Sequence, residues 1–348
     1  LEVILSIIEI LLILILIVFA CIVFTNAVEH LGEELNLSEG AVGSVLAAVG
    51  TALPETLVPI VAIVGAYIAG SDIEIGKEIG IGAILGAPFL LGTLAFFLTG
   101  AAVIFFTKKG GRNIDMPVNI VIMFRDLHFF ALAYSISVFS SFIPYKPVKY
   151  AVAGLLLVIY LIYVIKTIRT ASQMPEGGQE ELKALYLTNF TKFPEKYRLS
   201  LIIMQFLLAL GGIIILAHFF VEQIKFISEF FHINPLILSL IIAPIATELP
   251  EKFNSIIWIK NRKDTLAMGN ITGAMVFQSC IPTAVGLALT PWVFQTEAWI
   301  NVIIVYLSVS VVYANIVANK GVLKPTALLS GGVFYLIYLI YVIHRIIS

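Results

Sequence analysis

"TALPET" at 51–56 and "TELPEK" at 247–252 write Leu-Pro-Glu twice, each time inside a long apolar run. A proline breaks a helix and a glutamate is costly in hydrocarbon. Composition sharpens the question. The chain has 348 residues, 60% of them apolar and 12% charged, with a mean hydropathy of +1.02. Globular proteins carry roughly 25% charged residues, so these values describe an all-α polytopic membrane protein. A net charge of −1 without a long Lys/Arg block gives no reason to expect a nucleic-acid partner. Cys21 and Cys280 lie in or beside apolar stretches and read as packing residues, with neither zinc spacing nor a disulfide framework.

A spanning helix needs about 20 apolar residues. By that rule ten spans are expected, near 3–24, 39–69, 79–106, 118–142, 148–169, 199–224, 235–259, 265–289, 298–318 and 323–347. The first lacks a basic leading segment and reads as a retained spanning helix. In the fourth, Arg125 and Asp126 read as an interfacial turn, with the span beginning near Leu127. Ten spans put both termini on one side. Loops on the other side carry fourteen Lys and Arg residues against five on the terminal side. The positive-inside rule then places both termini outside and the loops near 107–117, 170–198, 260–264 and 319–322 in the cytoplasm, for a multi-pass protein of the cell membrane.

The organisation that follows is an N-terminal five-helix repeat (1–169), a polar cytoplasmic linker (170–198) and a C-terminal five-helix repeat (199–348). Five spans invert the second repeat relative to the first, as in many secondary transporters. Residues 35–63 lie on 231–259 at a constant offset of 196, so that Thr51, Leu53, Pro54 and Glu55 fall on Thr247, Leu249, Pro250 and Glu251. Downstream, "GAILGA" (82–87) falls on "GNITGA" (269–274) at an offset of 187.

The repeated motif has a chemistry. A helical proline frees the carbonyl four residues back, here those of Gly50 and Ala246. At bilayer depth a freed carbonyl needs a partner, and a cation is one. An intramembrane carboxylate costs about 2.5 kcal/mol or more unless it is paired, protonated or wet. Glu55 and Glu251, brought together by the repeat, make a site of two carboxylates and two carbonyls, with the hydroxyls of Thr51 and Thr247 one turn back. Hard oxygen ligands with two negative charges suit Ca²⁺. Gly82/Gly86 and Gly269/Gly273 are small-xxx-small pairs that let their spans approach neighbours closely.

These residues resemble the alpha-repeats of the Ca²⁺:cation antiporter superfamily. "AVGTALPETL" and "APIATELPEKF" are similar to the first helix of each repeat, and "GIGAILGAPFLLG" and "GNITGAMVFQSC" to the second, over about sixty residues per half. The resemblance implies an alternating-access antiporter with ten core helices, Ca²⁺ bound between Glu55 and Glu251 as transported substrate, and no enzymatic cofactor. The departures bear on the counter-ion. Sodium-coupled members carry serine, then Asn or Asp four residues on. Here those positions are Ala87 and Leu91 in the first half, Ala274 and Gln278 in the second. Proton-coupled members read G-N-x-x-E, which is not matched literally either.

Glu248 breaks the symmetry, and two readings of it stay open. It is a third carboxylate of the site, or it neutralises Lys252 four residues on and neither touches the ion. Gln278 faces the proposed site if its span is regular and is a neutral ligand candidate, with Asn270 and Thr272 on the same span. Metal and protons compete for the same carboxylates, which is exchange and needs no dedicated Na⁺ ligands. The reading is therefore Ca²⁺/H⁺ antiport in the lipid bilayer, with Na⁺/Ca²⁺ exchange as the alternative. A hydrolase lacks its motifs here: there is no Gly-x-Gly-Asp, no His-Glu-x-x-His and no evident Ser–His pair. Channels place carboxylate rings around an axis of repeated subunits. Charges at 26–34 and 218–229 read as solvated helix ends, and "SDIEIGKE" (71–78) as a loop.

Overall fold

The computed structural model describes residues 2–34, 55–70, 72–171, 184–187 and 197–347. Its helices are α1 (Glu2–Glu34), α2 (Glu55–Ala69), α3 (Ile73–Leu90), α4 (Phe96–Lys108), α5 (Ile120–Phe139), α6 (Lys146–Ala171), α7 (Arg198–Phe231), α8 (Pro235–Lys260), α9 (Asp264–Leu289), α10 (Thr296–Ala318) and α11 (Pro325–Ile347). Strand pairing among the described residues is a two-residue ladder, β1 (Met116–Pro117) antiparallel to β2 (Val322–Leu323). Among the described residues eight helical stretches are long and apolar enough to cross a membrane, and Glu55–Ala69 and Pro235–Ile245 are shorter apolar helices. The chain is a multi-pass, all-helical membrane protein. The span expected at 39–69 falls partly outside the described residues, which take it up at Glu55.

Local chemistry sets several boundaries. Asn119 caps α5, its Oδ1 accepting from the amides of Val121 at 3.0 Å and Ile122 at 3.2 Å. Asn234 caps α8 in the same way through Leu236 N at 2.8 Å, with Pro235 at the first helical position. α3 and α4 form one rod, Ile73–Lys108, joined by a π turn at Leu91–Ala95. Pro88 removes one bond of the helical ladder just before that turn. The carbonyl of Gly92, inside it, accepts from Ser308 Oγ of α10 at 2.5 Å. "IEIGKE" is thus the first part of α3, where the sequence reading expected a loop.

Three loops meet at one end of the molecule. β1 pairs with β2, so the 109–119 and 319–324 connections touch. Arg262 donates to Gly111 O at 3.1 Å, which brings in the turn after α8. Arg112 ties this end together: its guanidinium grips both oxygens of Asp264, at 2.6 and 2.9 Å, and the carbonyl of Ile259 at 2.8 Å. At the other end, Lys146 and Lys149 donate to the carbonyls of Thr290 and Pro291. Gln295 donates to Glu78 at 3.0 Å.

Packing divides the helices into a bundle and a pair. The larger apolar core is built from α3 to α6 and α8 to α11. α1 and α7, of 33 and 34 residues, lie along each other and join α2, α3 and α8 through Ile17, Ala62, Ala83, Phe220 and Ala243. At 1.5 Å per residue they are about 50 Å long, well over the ~30 Å hydrocarbon core. Their outer faces carry exposed Leu11, Ile15, Phe19, Leu207, Leu208 and Ile215, as a lipid-facing surface requires.

α5 departs from expectation. It begins at Ile120, so Arg125 and Asp126 sit within the helix and the interfacial turn does not form. Asp126 is buried and fully engaged: Arg125 donates at 2.8 and 3.0 Å, Tyr163 at 3.1 Å and Thr272 at 2.8 Å. A carboxylate with four donated bonds and a cation beside it has its desolvation offset, which is why the span tolerates it.

Candidate functional site

α3 positions the site. Its glycines face two ways. A Cβ at Gly76 would lie 2.5 Å from Ala62 O, and one at Gly80 2.5 Å from Ile63 Cγ1, both on α2. On its other side, Cβ atoms at Gly82 and Gly86 would run into the carbonyls of Leu236 and Leu240 on α8. Ser239 of α8 donates to Ile79 O of α3 at 2.6 Å across that seam. α3 therefore lies between α2, which begins at Glu55, and α8, each held close through its glycines.

Four polar side chains from three helices converge there. Glu55 of α2 is 6% exposed, Glu248 of α8 0%, Lys252 of α8 4% and Gln278 of α9 1%. The Gln278 amide nitrogen donates to Glu55 Oε2 and, at 2.7 Å, to Glu248 Oε1. Lys252 Nζ stands 3.7 Å from Glu248 Oε2 and donates to Asn270 Oδ1 of α9 at 2.9 Å. Glu248 is twelve residues before the end of α8 and Gln278 fourteen after the start of α9. At 1.5 Å per residue that is about 18 and 21 Å from the helix ends, the middle of a ~30 Å core.

The expected site residues fare differently. Glu55, Glu248 and Gln278 are brought together. Thr247 is buried one turn from Glu251, and its hydroxyl donates to Ala243 O at 3.3 Å. Gly50 and Thr51 lie outside the described residues. Ala246 and Glu251 lie within the helical course of α8, which continues through Pro250, but their side chains are outside the described set. Thr272 turns away to Asp126, and Asn270 serves Lys252. One oxygen of Glu248 accepts from Gln278 at 2.7 Å and the other stands 3.7 Å from Lys252 Nζ. Among the described residues there is no cluster of three or more His, Cys, Asp or Glu side chains arranged to hold a metal.

The glycine pairs do not match each other. Gly82 and Gly86 seat on backbone, whereas a Cβ at Gly269 would meet only Ile122 Cγ2 at 4.0 Å and one at Gly273 Tyr163 OH at 3.1 Å. The Asp126 cluster went unseen in the sequence, where its partners are far apart. The available signal was an Arg-Asp pair in a span otherwise able to cross.

Chemically, this is a set of hard oxygens at mid-membrane, cross-linked by one amide. A glutamine amide carries donors on one side and an acceptor on the other. Turned as it is, Gln278 offers N–H to two carboxyl groups. Rotated about its last torsion, it would offer Oε1 beside them, as a cation ligand.

A sequence model described as sodium/calcium exchanger protein matches residues 5–169 and 201–347. The chain belongs to that family. Its place in the Ca²⁺:cation antiporter superfamily accords with the fold. The chain is similar to the H⁺/Ca²⁺ exchanger CAX, with a TM-score of 0.70 at 17% identity, covering 97% of this chain and 86% of that one. It is similar also to the sodium-calcium exchanger NCX_Mj soaked with 2.5 mM Na⁺ and 10 mM Sr²⁺, with a TM-score of 0.57 at 18% identity over 97% and 98% of the two chains. Among curated proteins it is 22% identical over 304 residues to the inner membrane protein YrbG of Escherichia coli, covering 86% of this chain and 85% of that protein. An uncharacterized membrane protein of Methanocaldococcus jannaschii is 23% identical over 260 residues, 73% of this chain and 72% of that one. This is a family of exchangers, not of enzymes.

Proposed function

We propose that the chain exchanges Ca²⁺ for H⁺ across the cell membrane by alternating access, as ten spans in two inverted five-helix halves, 1–169 and 199–348, joined by the linker 170–198. Both termini lie outside. The end where Arg112, Arg262 and Lys324 gather is the cytoplasmic one, because basic loops stay inside. Ca²⁺ binds among Glu55, Glu248 and Gln278, with Glu251, Thr51, Thr247 and the carbonyls of Gly50 and Ala246 completing its oxygen shell.

One observation carries the reading. Glu55 and Glu248, from different halves, approach each other in a buried place with a shared amide donor. Carboxyl groups that close are stable together with a cation or a proton between them. A divalent ion and protons are then alternative occupants of one set of oxygens, and competition between them couples their movements. Ala87 and Ala274, where sodium-coupled relatives have serine, leave flanking Na⁺ sites short of oxygens. Na⁺/Ca²⁺ exchange is the second reading. It is favoured by the literal T-x-L-P-E in both halves, and the solved relatives include exchangers named for each coupling ion.

The test is ⁴⁵Ca²⁺ uptake into proteoliposomes, comparing an outward H⁺ gradient in Na⁺-free buffer with an outward Na⁺ gradient at fixed pH. Uptake driven by the H⁺ gradient alone, and lost in Glu55→Gln, is the expected result. Uptake driven by Na⁺ alone would overturn proton coupling, and no uptake under either gradient would overturn the exchange of Ca²⁺.

A further inference from the structure

Glu248, Lys252 and Asn270 have no polar equivalents at two of the three matching places in the first half. The offset of 196 puts Ala52 opposite Glu248 and Thr56 opposite Lys252, and the offset of 187 puts Ala83 opposite Asn270. The second half has thus gained a carboxylate, a cation and an amide together. The structure joins them: Lys252 Nζ is 2.9 Å from Asn270 Oδ1 and 3.7 Å from Glu248 Oε2, with Lys252 4% exposed. Glu248 reaches the rest of the site through Gln278, so the ammonium belongs to the same charge system as Glu55.

A buried cation beside a transport site has a consequence for what the site can take. A lysine on a flexible four-carbon stem is a compact point charge, close in kind to an alkali cation. Asn270 Oδ1 and Glu248 Oε2 are hard oxygens of the type that bind such an ion. We infer that Lys252 is a resident monovalent cation of the transport site, its ammonium filling a place between Glu248 and Asn270 that an alkali cation would otherwise occupy. The inference rests on the exchange reading for its meaning, since it makes Lys252 a determinant of which ions are coupled. With the ammonium in place, Glu248 has its counter-charge without drawing on Na⁺. Without it, the carboxylate and the amide oxygen are left facing each other with room for a monovalent ion.

The experiment uses the full chain, purified in detergent, with Na⁺ as the probe. Wild type, Lys252→Met, Lys252→Arg and the double variant Glu248→Gln/Lys252→Met are melted in NaCl and in choline chloride of equal ionic strength. Lys252→Met is expected to gain a Na⁺-dependent rise in melting temperature of about 2 °C or more. Wild type, Lys252→Arg and the double variant gain none, because each keeps the charge of that corner balanced. In proteoliposomes Lys252→Met is expected to show ⁴⁵Ca²⁺ uptake that rises about tenfold with an outward Na⁺ gradient, against little change in wild type. A Lys252→Met protein that survives extraction in NaCl but not in choline chloride supports the inference equally. Where it is lost in both, Lys252→Gln carries the same comparison. A neutral variant that melts alike in both salts overturns the inference, as does a Na⁺ response that persists after Glu248 is also neutralised. The melting readout needs no Ca²⁺ flux, so a wild type that moves no ⁴⁵Ca²⁺ refutes the exchange reading separately.

Discussion

Gly82 and Gly86 of α3 lie against the backbone of α8, whereas their counterparts Gly269 and Gly273 of α9 meet a methyl group at 4.0 Å and a phenol oxygen at 3.1 Å. The polar side chains divide just as unevenly. Among the described residues, the first half brings Glu55 to the site, and the second brings Glu248, Lys252, Asn270 and Gln278. The glycines of the close seam come from the first half, and most of the described polar side chains of the site come from the second. Positions that match in sequence at an offset of 187 therefore differ in what they touch. A glycine pair repeated in sequence does not by itself repeat a backbone contact.

The largest effect that would break this comparison is expected at Gly86. Gly86→Ala drives a methyl group into the Leu240 carbonyl, and no rotamer relieves a clash with backbone. The expected cost is about 1–3 kcal/mol, read as a fall of several degrees in the melting temperature of the purified protein. An unchanged melt would mean that α3 and α8 are not in backbone contact. The next concerns the chemistry. Gln278→Leu keeps the volume but leaves Glu55 and Glu248 without their shared donor, and an unmet buried acceptor costs about 1–3 kcal/mol. ⁴⁵Ca²⁺ uptake should fall about tenfold to a hundredfold, with a smaller loss for Gln278→Asn, and equal losses in the two variants would argue against an amide role. The smallest effect is at Gly269. Gly269→Ala places its methyl at ordinary contact distance inside a helix, so its melt should move by the equivalent of about 0.5 kcal/mol or less. A loss as large as that at Gly86 would restore the symmetry that the structure lacks.

Much of this was legible in the sequence, for reasons that can be named. Long apolar runs mark spanning helices because the bilayer leaves the backbone no other partner than itself, and helices fall within most of the runs picked out. The convergence of Glu55, Glu248 and Gln278 could be anticipated because α-helical period puts Glu248 and Glu251 on one face, and the repeat carries one half's motif toward the other's. What could not be read depends on contacts made far along the chain. Asp126 is a tolerable helix residue only because Tyr163 and Thr272 reach it, and neither partner is signalled by spacing. The same holds for Asn270, whose partner is Lys252 on a neighbouring helix. Start positions also slipped: α3 begins at Ile73, before its apolar run, where Gly76 packs on Ala62 O of α2 and Glu74 pairs with Lys77 at 2.6 Å.

α3 touches α2 and α8 through glycines, at Gly76 and Gly80 on one flank and Gly82 and Gly86 on the other. Small residues let helices pack closely, and each glycine there leaves a gap that a neighbour's atoms fill. Ile63 of α2 and Pro244 and Ser239 of α8 fill the gaps those glycines leave, and the Ser239 hydroxyl adds a polar bond to Ile79 O across the α8 seam. α3 is thus the strut that fixes how far apart α2 and α8 stand, and it is intolerant of any added atom across it.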